Sequence, residues 1–262
     1  MVRFWLSCWL SLCLLLCLSP SVVAADGGSL GFDALIDQAL AATEQGDFAT
    51  AEGYWTQLLE QDPQNPAIWS NRGNARVSQH KLTEALTDYA EAIRLAPQAT
   101  DPYLNRGAAW EGLGQWQQAI ADYDHVLQLN PQDAAALNNR GNAKAGLADW
   151  SGSLADYQEA MQQDPQFAFA QANHALMLYQ LGQSPAAVRE MKQLLRKYPK
   201  FADVRAALTA ILWAEHKVGE AESHWVAVMG LDPRYQDLEW VKTIRRWPPA
   251  ITHDLERFLS LG

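Results

Sequence analysis

Apolar side chains recur along this chain with the spacing of amphipathic helices, in pairs separated by a short turn. Between Asn105 and Pro131, small or apolar residues recur at helical spacing over 104–113 and again over 116–127. Gly114 separates the two halves, because glycine can adopt the left-handed backbone angle that ends a helix. Pro131 lacks the amide hydrogen that another turn of the second half would require. The segment therefore predicts two helices joined by a tight turn.

The same unit recurs through most of the chain at a constant spacing. Its clearest marker is a helix-stopping proline in every copy, at Pro63, Pro97, Pro131, Pro165, Pro199 and Pro233. The period of about 34 residues, and the order of Trp or Tyr, Gly, an aromatic residue, Ala, an aromatic residue and Pro, resemble the tetratricopeptide repeat family. The resemblance covers Phe32 to Tyr235 and implies an all-α, right-handed α-solenoid of helix-turn-helix repeats. It implies little about the ligand, because this family is a scaffold for many unrelated functions.

The period divides the chain into six repeats and flanking segments. We expect an amino-terminal segment over residues 1–25, a leader over 26–31 and carboxyl-terminal capping helices over 236–262. The repeats occupy residues 32–65, 66–99, 100–133, 134–167, 168–201 and 202–235. Each repeat keeps small residues where its two helices must approach closely, as Gly107 and Ala119 do in repeat three. We therefore expect all six repeats to fold in the same way.

The amino-terminal segment has the order of an export signal. Arg3 precedes an apolar run from Phe4 to Leu18, and Pro20 and small residues ending at Ala25 follow. The run is shorter than the roughly 20 residues that a membrane helix needs. We therefore expect cleavage after one of the two alanines that end the segment, with an uncleaved membrane anchor as the alternative.

Composition argues against several classes of function. All three cysteines lie in the export segment (Cys8, Cys13 and Cys17), so we expect no disulfide and no cysteine nucleophile in the processed chain. The formal net charge of −10 makes nucleic acid an improbable partner, because phosphate backbones are repelled. The six histidines are dispersed, and neither a phosphate-binding glycine loop nor a Gly-x-Ser-x-Gly turn is present. We predict no enzymatic activity, no cofactor and no metal site.

Repeats two to four share a second pattern, an arginine in the first helix and an aspartate at a constant distance in the second. The pairs are Arg72 with Asp88, Arg106 with Asp122, and Arg140 with Asp156. The remaining repeats lack both members; repeat five has His174 and Glu190 at these positions. We predict a structural ladder of ion pairs between packed helices, within a repeat or between neighbours. The alternative is that these are independent surface residues.

In the tetratricopeptide repeat family, ligands usually lie along the surface formed by the first helices of successive repeats. The matching positions, here called the groove positions, carry amides in the middle of the chain and aromatic rings toward its carboxyl end. We expect protein-binding contacts from Asn74, Asn138, Asn142, Phe169, Tyr179 and Trp213. Asparagine can bond a peptide backbone and an aromatic ring can hold an apolar side chain. Alternatively, the asparagines support the fold and the aromatic residues belong to the core. Glu111 and Asp203 are charged groove positions.

One specificity known in the family does not match this chain. Repeat proteins that hold the acidic tails of heat-shock chaperones use cationic side chains around two asparagines. Asn74 and Asn105 match those asparagines, but Ser70, Ala135 and Asn139 stand in the cationic places. Without charge-assisted bonds to the terminal carboxylate, that ligand is excluded.

The carboxyl-terminal segment follows a different pattern. Residues 236–247 predict one more amphipathic helix, with Leu238, Val241 and Ile244 inward, and an apolar stripe follows a cap at Thr252. Basic and aromatic side chains cluster here, and we predict a docking patch for a protein or a membrane surface, or else a packed cap face. The patch consists of Trp240, Lys242, Arg245, Arg246 and Trp247.

This segment resembles the ends of repeat proteins found in cyanobacteria and plastids. The resemblance implies export to the thylakoid lumen or periplasm and a role in assembling photosynthetic or other membrane complexes. We interpret the chain as a non-enzymatic, protein-binding scaffold that presents a concave groove to a peptide or partner protein. The alternative is a membrane-anchored structural subunit of an extracytoplasmic complex. We expect membrane contact only through an uncleaved amino-terminal segment or through weak surface docking.

Overall fold

The computed structural model describes residues 31–260, most of which lie in helices joined by short turns. Within that range no strand is present, so the predicted all-α class is confirmed. The chain divides into two compact units, one ending at Pro97 and the other beginning at Gln98. The predicted export segment and residues 26–30 of the leader lie outside the described residues.

The first unit consists of two helix pairs. They are α1 (Phe32–Glu44) with α2 (Phe48–Gln61), and α3 (Pro66–Ser78) with α4 (Leu82–Leu95). Helix α2 packs against both α1 and α3. The core of this unit contains Leu35, Trp55 and Leu58, all of which are buried.

The second unit begins with four more pairs, one in each remaining predicted repeat. They are α5 (Thr100–Gly112) and α6 (Trp116–Leu129), α7 (Ala134–Gly146) and α8 (Trp150–Gln163), α9 (Ala168–Gln180) and α10 (Ser184–Lys197), and α11 (Ala202–Ala214) and α12 (Val218–Leu231). Within this array, a second helix packs against its own partner and against the first helix of the next pair. This arrangement buries the apolar face of one pair against its neighbour, as repeat proteins require.

The turn inside each pair depends on one residue in the left-handed backbone region. Three of these residues are glycines, at Gly46, Gly114 and Gly182, with φ between 69° and 78°. The prediction for Gly114 is therefore confirmed. The other three pairs use His80, Ala148 and His216, with φ of 60° or 61°. Left-handed backbone costs a residue with a Cβ atom about 1–2 kcal/mol, so packing on both sides must hold these turns in place.

Within repeats two to four, a tyrosine ring of the second helix lies directly on a glycine of the first. A Cβ atom at Gly107 would lie 2.5 Å from Cε1 of Tyr123, which is closer than any side chain allows. Gly73 meets Tyr89 and Gly141 meets Tyr157 in the same way. The small residues at these helix crossings therefore serve to admit the rings, and the rings fill the core of each repeat.

The carboxyl-terminal segment corrects the prediction of a single amphipathic helix over residues 236–247. It forms a 3₁₀ turn (Pro233–Gln236), a short helix α13 (Leu238–Trp240) and a π-helical turn (Val241–Arg245). Arg246 then adopts a left-handed backbone with φ 54° and ends the helical path. Because a π turn bonds residue i to i+5, residues three apart leave the common face. Val241 is fully buried, whereas Ile244 is 55% exposed rather than inward.

The last helix, α14 (Pro249–Leu259), begins before the predicted cap at Thr252. Pro249 occupies its first position, where a missing amide hydrogen has no cost. Thr252 is buried inside the helix, and its hydroxyl donates to the backbone oxygens of Trp247 and Pro248 at 3.3 and 3.0 Å. The cap prediction was therefore wrong, because the helix begins at Pro249, whose fixed backbone angle suits the first helical position.

The glycine beneath each tyrosine ring provides a test in the first unit. In Gly73→Ala the new methyl group meets the buried ring of Tyr89 at 2.7 Å, so we expect the free energy of unfolding to fall by about 1–3 kcal/mol. Gly53→Ala, where no atom lies within 4 Å, is the matched control and should gain up to about 1 kcal/mol from helix propensity. Urea unfolding followed by circular dichroism measures both. Equal behaviour of the two variants would contradict the packing described here.

Candidate functional site

The carboxyl-terminal tail, residues 233–260, covers groove positions of the second unit. Helix α14 packs against the first helices α11 and α9. The hydroxyl of Tyr179 donates to the carboxylate of Asp254, and the side-chain oxygen of Gln180 accepts from the backbone amide of Ala250 at 2.9 Å. Tyr179, which we predicted to contact a partner, therefore contacts this chain's own tail.

Trp213, also predicted to contact a partner, likewise contacts helix α14 of the tail. The ring of Phe258 meets it edge-on with the ring centres 6.3 Å apart, and the guanidinium of Arg257 lies 5.2 Å above it. Phe258 also contacts Trp225 of α12 edge-on at 5.3 Å. The aromatic end of the predicted groove is thus filled by the apolar face of α14.

Asp203 anchors the tail at the start of α11. Its carboxylate is 5% exposed and accepts bonds from Tyr235 Oη at 2.6 Å, Trp247 Nε1 at 3.1 Å and Arg245 Nε at 3.0 Å. Arg245 Nη2 also lies 2.8 Å from its second oxygen. A buried carboxylate needs partners of this kind, because an unpaired charge in the interior costs several kcal/mol. The tail supplies all of these partners.

Glu111 in α5 contacts the same tail through Arg246. It is 8% exposed, accepts a bond from the hydroxyl of Tyr123 at 2.6 Å, and lies 3.2 Å from Arg246 Nη1. The guanidinium of Arg246 also lies 5.1 Å from the ring centre of Trp116. Burial raises the pKa of Glu111 to about 7, against the lowering effects of the Tyr123 hydroxyl and the Arg246 charge. The carboxyl group therefore titrates near neutral pH.

Coverage by the tail divides the groove of this unit into an open part and a filled part. The equivalent groove positions in its four repeats run from exposed Ala108 through half-buried Asn142 to Leu176, which is 5% exposed, and Ala210, which is fully buried. The surface that stays available for a ligand thus lies on α5 and α7.

Asparagines on α7 and α9 form a hydrogen-bonded cluster beside that open surface. The Oδ1 atom of Asn142 accepts from the Tyr157 hydroxyl at 2.8 Å and from Asn173 Nδ2 at 3.2 Å. Asn173 also donates to Asn138 Oδ1 at 3.0 Å, and Asn138 donates to Asn139. In this arrangement Oδ1 of Asn142 accepts both bonds, and its NH₂ group remains as a donor.

Asn74 in the first unit repeats this orientation. Its Oδ1 atom accepts from the Tyr89 hydroxyl at 2.7 Å, and the residue is exposed. In repeat three the equivalent residue is Ala108, which has no acceptor, and the Tyr123 hydroxyl bonds Glu111 instead. The identity of one groove residue thus decides whether the tyrosine orients an amide or a carboxylate.

Phe169, also predicted to contact a partner, is 37% exposed. Its ring lies edge-on to Phe201 with the centres 5.5 Å apart. The structure therefore brings Asn138 and Asn142 together, places Tyr179 and Trp213 under the tail, and leaves Phe169 separate with one face in solvent.

Each arginine of the predicted ladder contacts the predicted aspartate of its own repeat. The Nη2 to Oδ1 distances are 2.7 Å for Arg72 and Asp88, 2.6 Å for Arg106 and Asp122, and 2.7 Å for Arg140 and Asp156. The aspartates are buried, and each pair uses two guanidinium nitrogens. Arg140 also reaches the preceding repeat through Asp124 at 2.7 Å.

In the first unit this pairing extends into a network between repeats. Arg76 joins Asp88 to Glu52 of α2, with both contacts at 2.8 Å, and Lys81 lies 2.6 Å from Glu52. Burial raises the pKa of Glu52, but the bonds from Lys81, Arg76 and Gln79 outweigh it and lower the pKa to about 2. The carboxylate therefore stays charged and links the two helix pairs.

Repeat five keeps this interaction with different residues. Nδ1 of His174 lies 2.8 Å from Glu190 Oε2, at the positions where the arginine and the aspartate stand in repeats two to four. The sequence pattern counted this repeat among those without a pair. The sequence analysis searched for arginine and aspartate only. A search for any polar pair at these two positions would have suggested the contact between His174 and Glu190.

The five residues of the predicted docking patch do not share one exposed surface. Trp247 is 6% exposed, and Arg245 and Arg246 are bonded to Asp203 and Glu111. Trp240 packs edge-on against Tyr235. Lys242 and Arg246 are exposed, with Lys242 near Glu239 and Glu256 at 3.8 and 3.9 Å. Tertiary packing thus buries one member of the patch and ties two others to carboxylates of the first helices.

Sequence reasoning missed the groups that give the groove its polarity. The tyrosine hydroxyls, Asn173 and Trp116 had no place in the predicted site. A signal existed for the tyrosines, because the spacing from Asn74 to Tyr89 is the same as the spacing from Asn142 to Tyr157. No signal in the sequence pointed to Trp116, since its role depends on the path of the tail.

Membrane spans and metal clusters are both missing from residues 31–260. None of the helices there has both the length and the apolar character that a bilayer span needs. No group of three His, Cys, Asp or Glu side chains in the same range converges as metal ligands would.

The stacked helix pairs and the surface formed by their first helices define an α-solenoid repeat protein. Models of the tetratricopeptide repeat match residues 36–100 and 170–200, and a TPR repeat model matches residues 111–147. Together these segments cover about half of the chain. The chain belongs to the tetratricopeptide repeat family. No curated protein matches its sequence significantly.

Solved structures support the same fold class. A tetratricopeptide repeat protein from Parabacteroides merdae is 21% identical, with 88% of this chain and 93% of that chain covered and a TM-score of 0.68. MamA from Desulfovibrio magneticus is 17% identical, with 63% and 93% covered and a TM-score of 0.58. A chain of the Cut9–Hcn1 hetero-tetramer of the APC/C is 19% identical and has a TM-score of 0.69, with 87% of this chain but only 42% of that chain covered. Similarity at this level of identity shows the fold alone.

The buried ion pairs of the first unit provide a test of the ladder. Asp88→Asn leaves the guanidinium group of Arg72, which is 12% exposed, without its carboxylate and leaves that of Arg76, which is 18% exposed, with Glu52 alone. We expect the free energy of unfolding to fall by about 3–5 kcal/mol. Glu91→Gln on the same helix removes an exposed pair with Arg94 and should change stability little. Urea unfolding of both variants is the measurement, and a small effect at Asp88 would contradict a structural role for the pair.

The raised pKa of Glu111 predicts a pH-dependent stability. Because the folded pKa of about 7 exceeds the ordinary value of 4.5, this group contributes stability below about pH 4.5 that is lost as the pH rises through 7. We expect a loss of about 3 kcal/mol between pH 5 and 8, absent in Glu111→Gln, when urea unfolding is measured across this range. Glu52→Gln is the control, since a lowered pKa makes that group matter only at lower pH. The same slope in wild type and Glu111→Gln would count against a buried, titrating Glu111.

Proposed function

We propose that this protein is a non-enzymatic scaffold that binds a segment of a partner protein on the first-helix surface of α5 and α7. The observation that carries the proposal is the tail, which already lies along α9 and α11 as a peptide ligand would. Proteins of the tetratricopeptide repeat family are generally protein-interaction scaffolds, which supports the same function. The partner is a protein or peptide, and the acidic charge of the chain disfavours nucleic acid.

The open surface has the chemistry to recognise backbone. The half-buried amide of Asn142 retains its NH₂ donors, because Tyr157 and Asn173 bond its oxygen. Donors at fixed positions bond the carbonyl oxygens of an extended or helical segment without reading its side chains. The groove therefore orients the backbone of the partner segment along α5 and α7. Selection among partner sequences must come from neighbouring charged or apolar groups.

The setting of this function follows from the amino-terminal segment. We propose that the protein is exported to a thylakoid lumen or periplasm and assists the assembly of membrane or photosynthetic complexes there. The order of Arg3, the apolar run and the small residues before position 26 supports export. A second candidate, a membrane-anchored structural subunit, is favoured by the apolar character of residues 4–18 if they are retained.

A photo-crosslinking residue in the groove tests the scaffold function. We expect a crosslinker at exposed Ala108 to capture partner proteins in the producing cells, because this position lies on the open part of the groove. The control carries the crosslinker at Val226 of α12, which is 74% exposed and is not a groove position. Capture of the same proteins with equal yield at both positions would rule out the groove as the binding surface. Sequencing the amino terminus of the purified chain separates the exported from the anchored form.

A further inference from the structure

We propose that Glu111, Tyr123 and Trp116 form a subsite for an arginine side chain of the partner segment, and that Arg246 is the resident, displaceable occupant of this subsite. The inference rests on the proposed scaffold function and names the chemistry by which its groove selects a partner. It follows from three features of the second unit: a buried carboxylate, an occupant that makes a single contact to it, and an independent anchor for the tail.

The carboxylate of Glu111 needs a cation. It is 8% exposed, and the Tyr123 hydroxyl at 2.6 Å satisfies only one of its oxygens. The other oxygen faces Arg246 Nη1 at 3.2 Å. Trp116 completes the subsite with an aromatic face 5.1 Å from the guanidinium carbon, a distance at which a ring attracts a planar cation. Carboxylate and ring together favour arginine over lysine, whose compact ammonium stacks less well.

Arg246 occupies this subsite imperfectly. It makes a single contact to the carboxylate, and its side chain stays 39% exposed. Its backbone is held by the anchors of the tail on either side. An arginine on a segment without these anchors is free to approach the carboxylate with two parallel N–H groups. The resident side chain is therefore a weaker ligand than an unconstrained one.

Displacing Arg246 does not require the tail to unfold. The residues on either side are anchored elsewhere, Arg245 on Asp203 at 2.8 Å and Trp247 on the same carboxylate at 3.1 Å. Helix α14 stays in place through buried Ile251 and Leu255. The Arg246 side chain alone must swing into solvent, which leaves the subsite open next to the groove.

The subsite is close to the groups that bind backbone. Glu111 lies on α5 and Asn142 on α7, and these neighbouring first helices contact each other. Tyr157 bonds the side-chain oxygen of Asn142. A partner segment that lies along α5 and α7 and bonds the Asn142 amide therefore runs past the helix that carries Glu111. The charge of Glu111 also makes this step pH-dependent, since protonation near pH 7 removes the attraction.

The test uses the full chain and two peptide probes, acetyl-Ala-Arg-Ala-amide and its citrulline analogue, which has the same shape without the charge. Arg246→Gly empties the subsite and retains a residue suited to positive φ. We expect this variant to bind the arginine probe about tenfold more tightly than the wild type does, and about tenfold more tightly than the citrulline probe. Chemical shifts of the Trp116 indole, assigned with Trp116→Phe, report binding at the subsite.

The double variant Glu111→Gln, Arg246→Gly is the matched control, because it keeps the open space and removes the charge. We expect it to bind both probes equally, and we expect the arginine probe to bind Arg246→Gly more weakly at pH 6 than at pH 8. Equal binding of the two probes by Arg246→Gly, or a preference for arginine that survives in the double variant, would overturn the subsite. If the subsite fails this test but the crosslinker at Ala108 still captures a partner, the scaffold function is retained and only the subsite is wrong. If the crosslinker at Ala108 captures no partner in the wild type or in any variant, the scaffold function itself is wrong.

Discussion

The packing of a tyrosine ring onto a glycine backbone is the constraint on which the central repeats depend. Gly107 and its equivalents have no Cβ atom, so the ring on the second helix can cross the first helix in direct contact. This contact fixes where each tyrosine hydroxyl emerges on the groove side. In repeats two and four the hydroxyl meets an asparagine, and in repeat three it meets Glu111. A packing requirement thus sets the polar chemistry of the groove.

The tail gives the second unit a different surface from the one that a regular array would present. Its apolar residues close the aromatic end of the groove, and its basic residues pair with Asp203 and Glu111. Both carboxylates are buried, yet their surroundings differ. Asp203 receives four donor groups from the tail, whereas Glu111 receives a single contact from Arg246 and has a pKa of about 7. Asp203 therefore anchors the tail, whereas the contact of Glu111 with Arg246 is the weaker of the two.

Much of the fold was predictable because each repeat encodes it locally. Gly114, Pro131 and the small residues Gly107 and Ala119 specify a turn, a stop and a helix crossing without reference to the rest of the chain. The Arg72 to Asp88 spacing likewise suggested a pair before any contact was known. Repeat five shows where this reasoning fails, because His174 and Glu190 make the contact with residue types that the pattern did not include.

The sequence by itself determined the repeat class and the two-helix pattern of each repeat, and it predicted a set of groove residues, because these depend on a pattern contained within a single repeat. Only the tertiary structure decided which of those residues remain available. Tyr179 and Trp213 are covered by a helix that comes much later in the chain, and Arg246 reaches Glu111, which stands far before it in the sequence. Contacts at such separations leave no periodic trace, since they depend on the path of a tail that does not repeat.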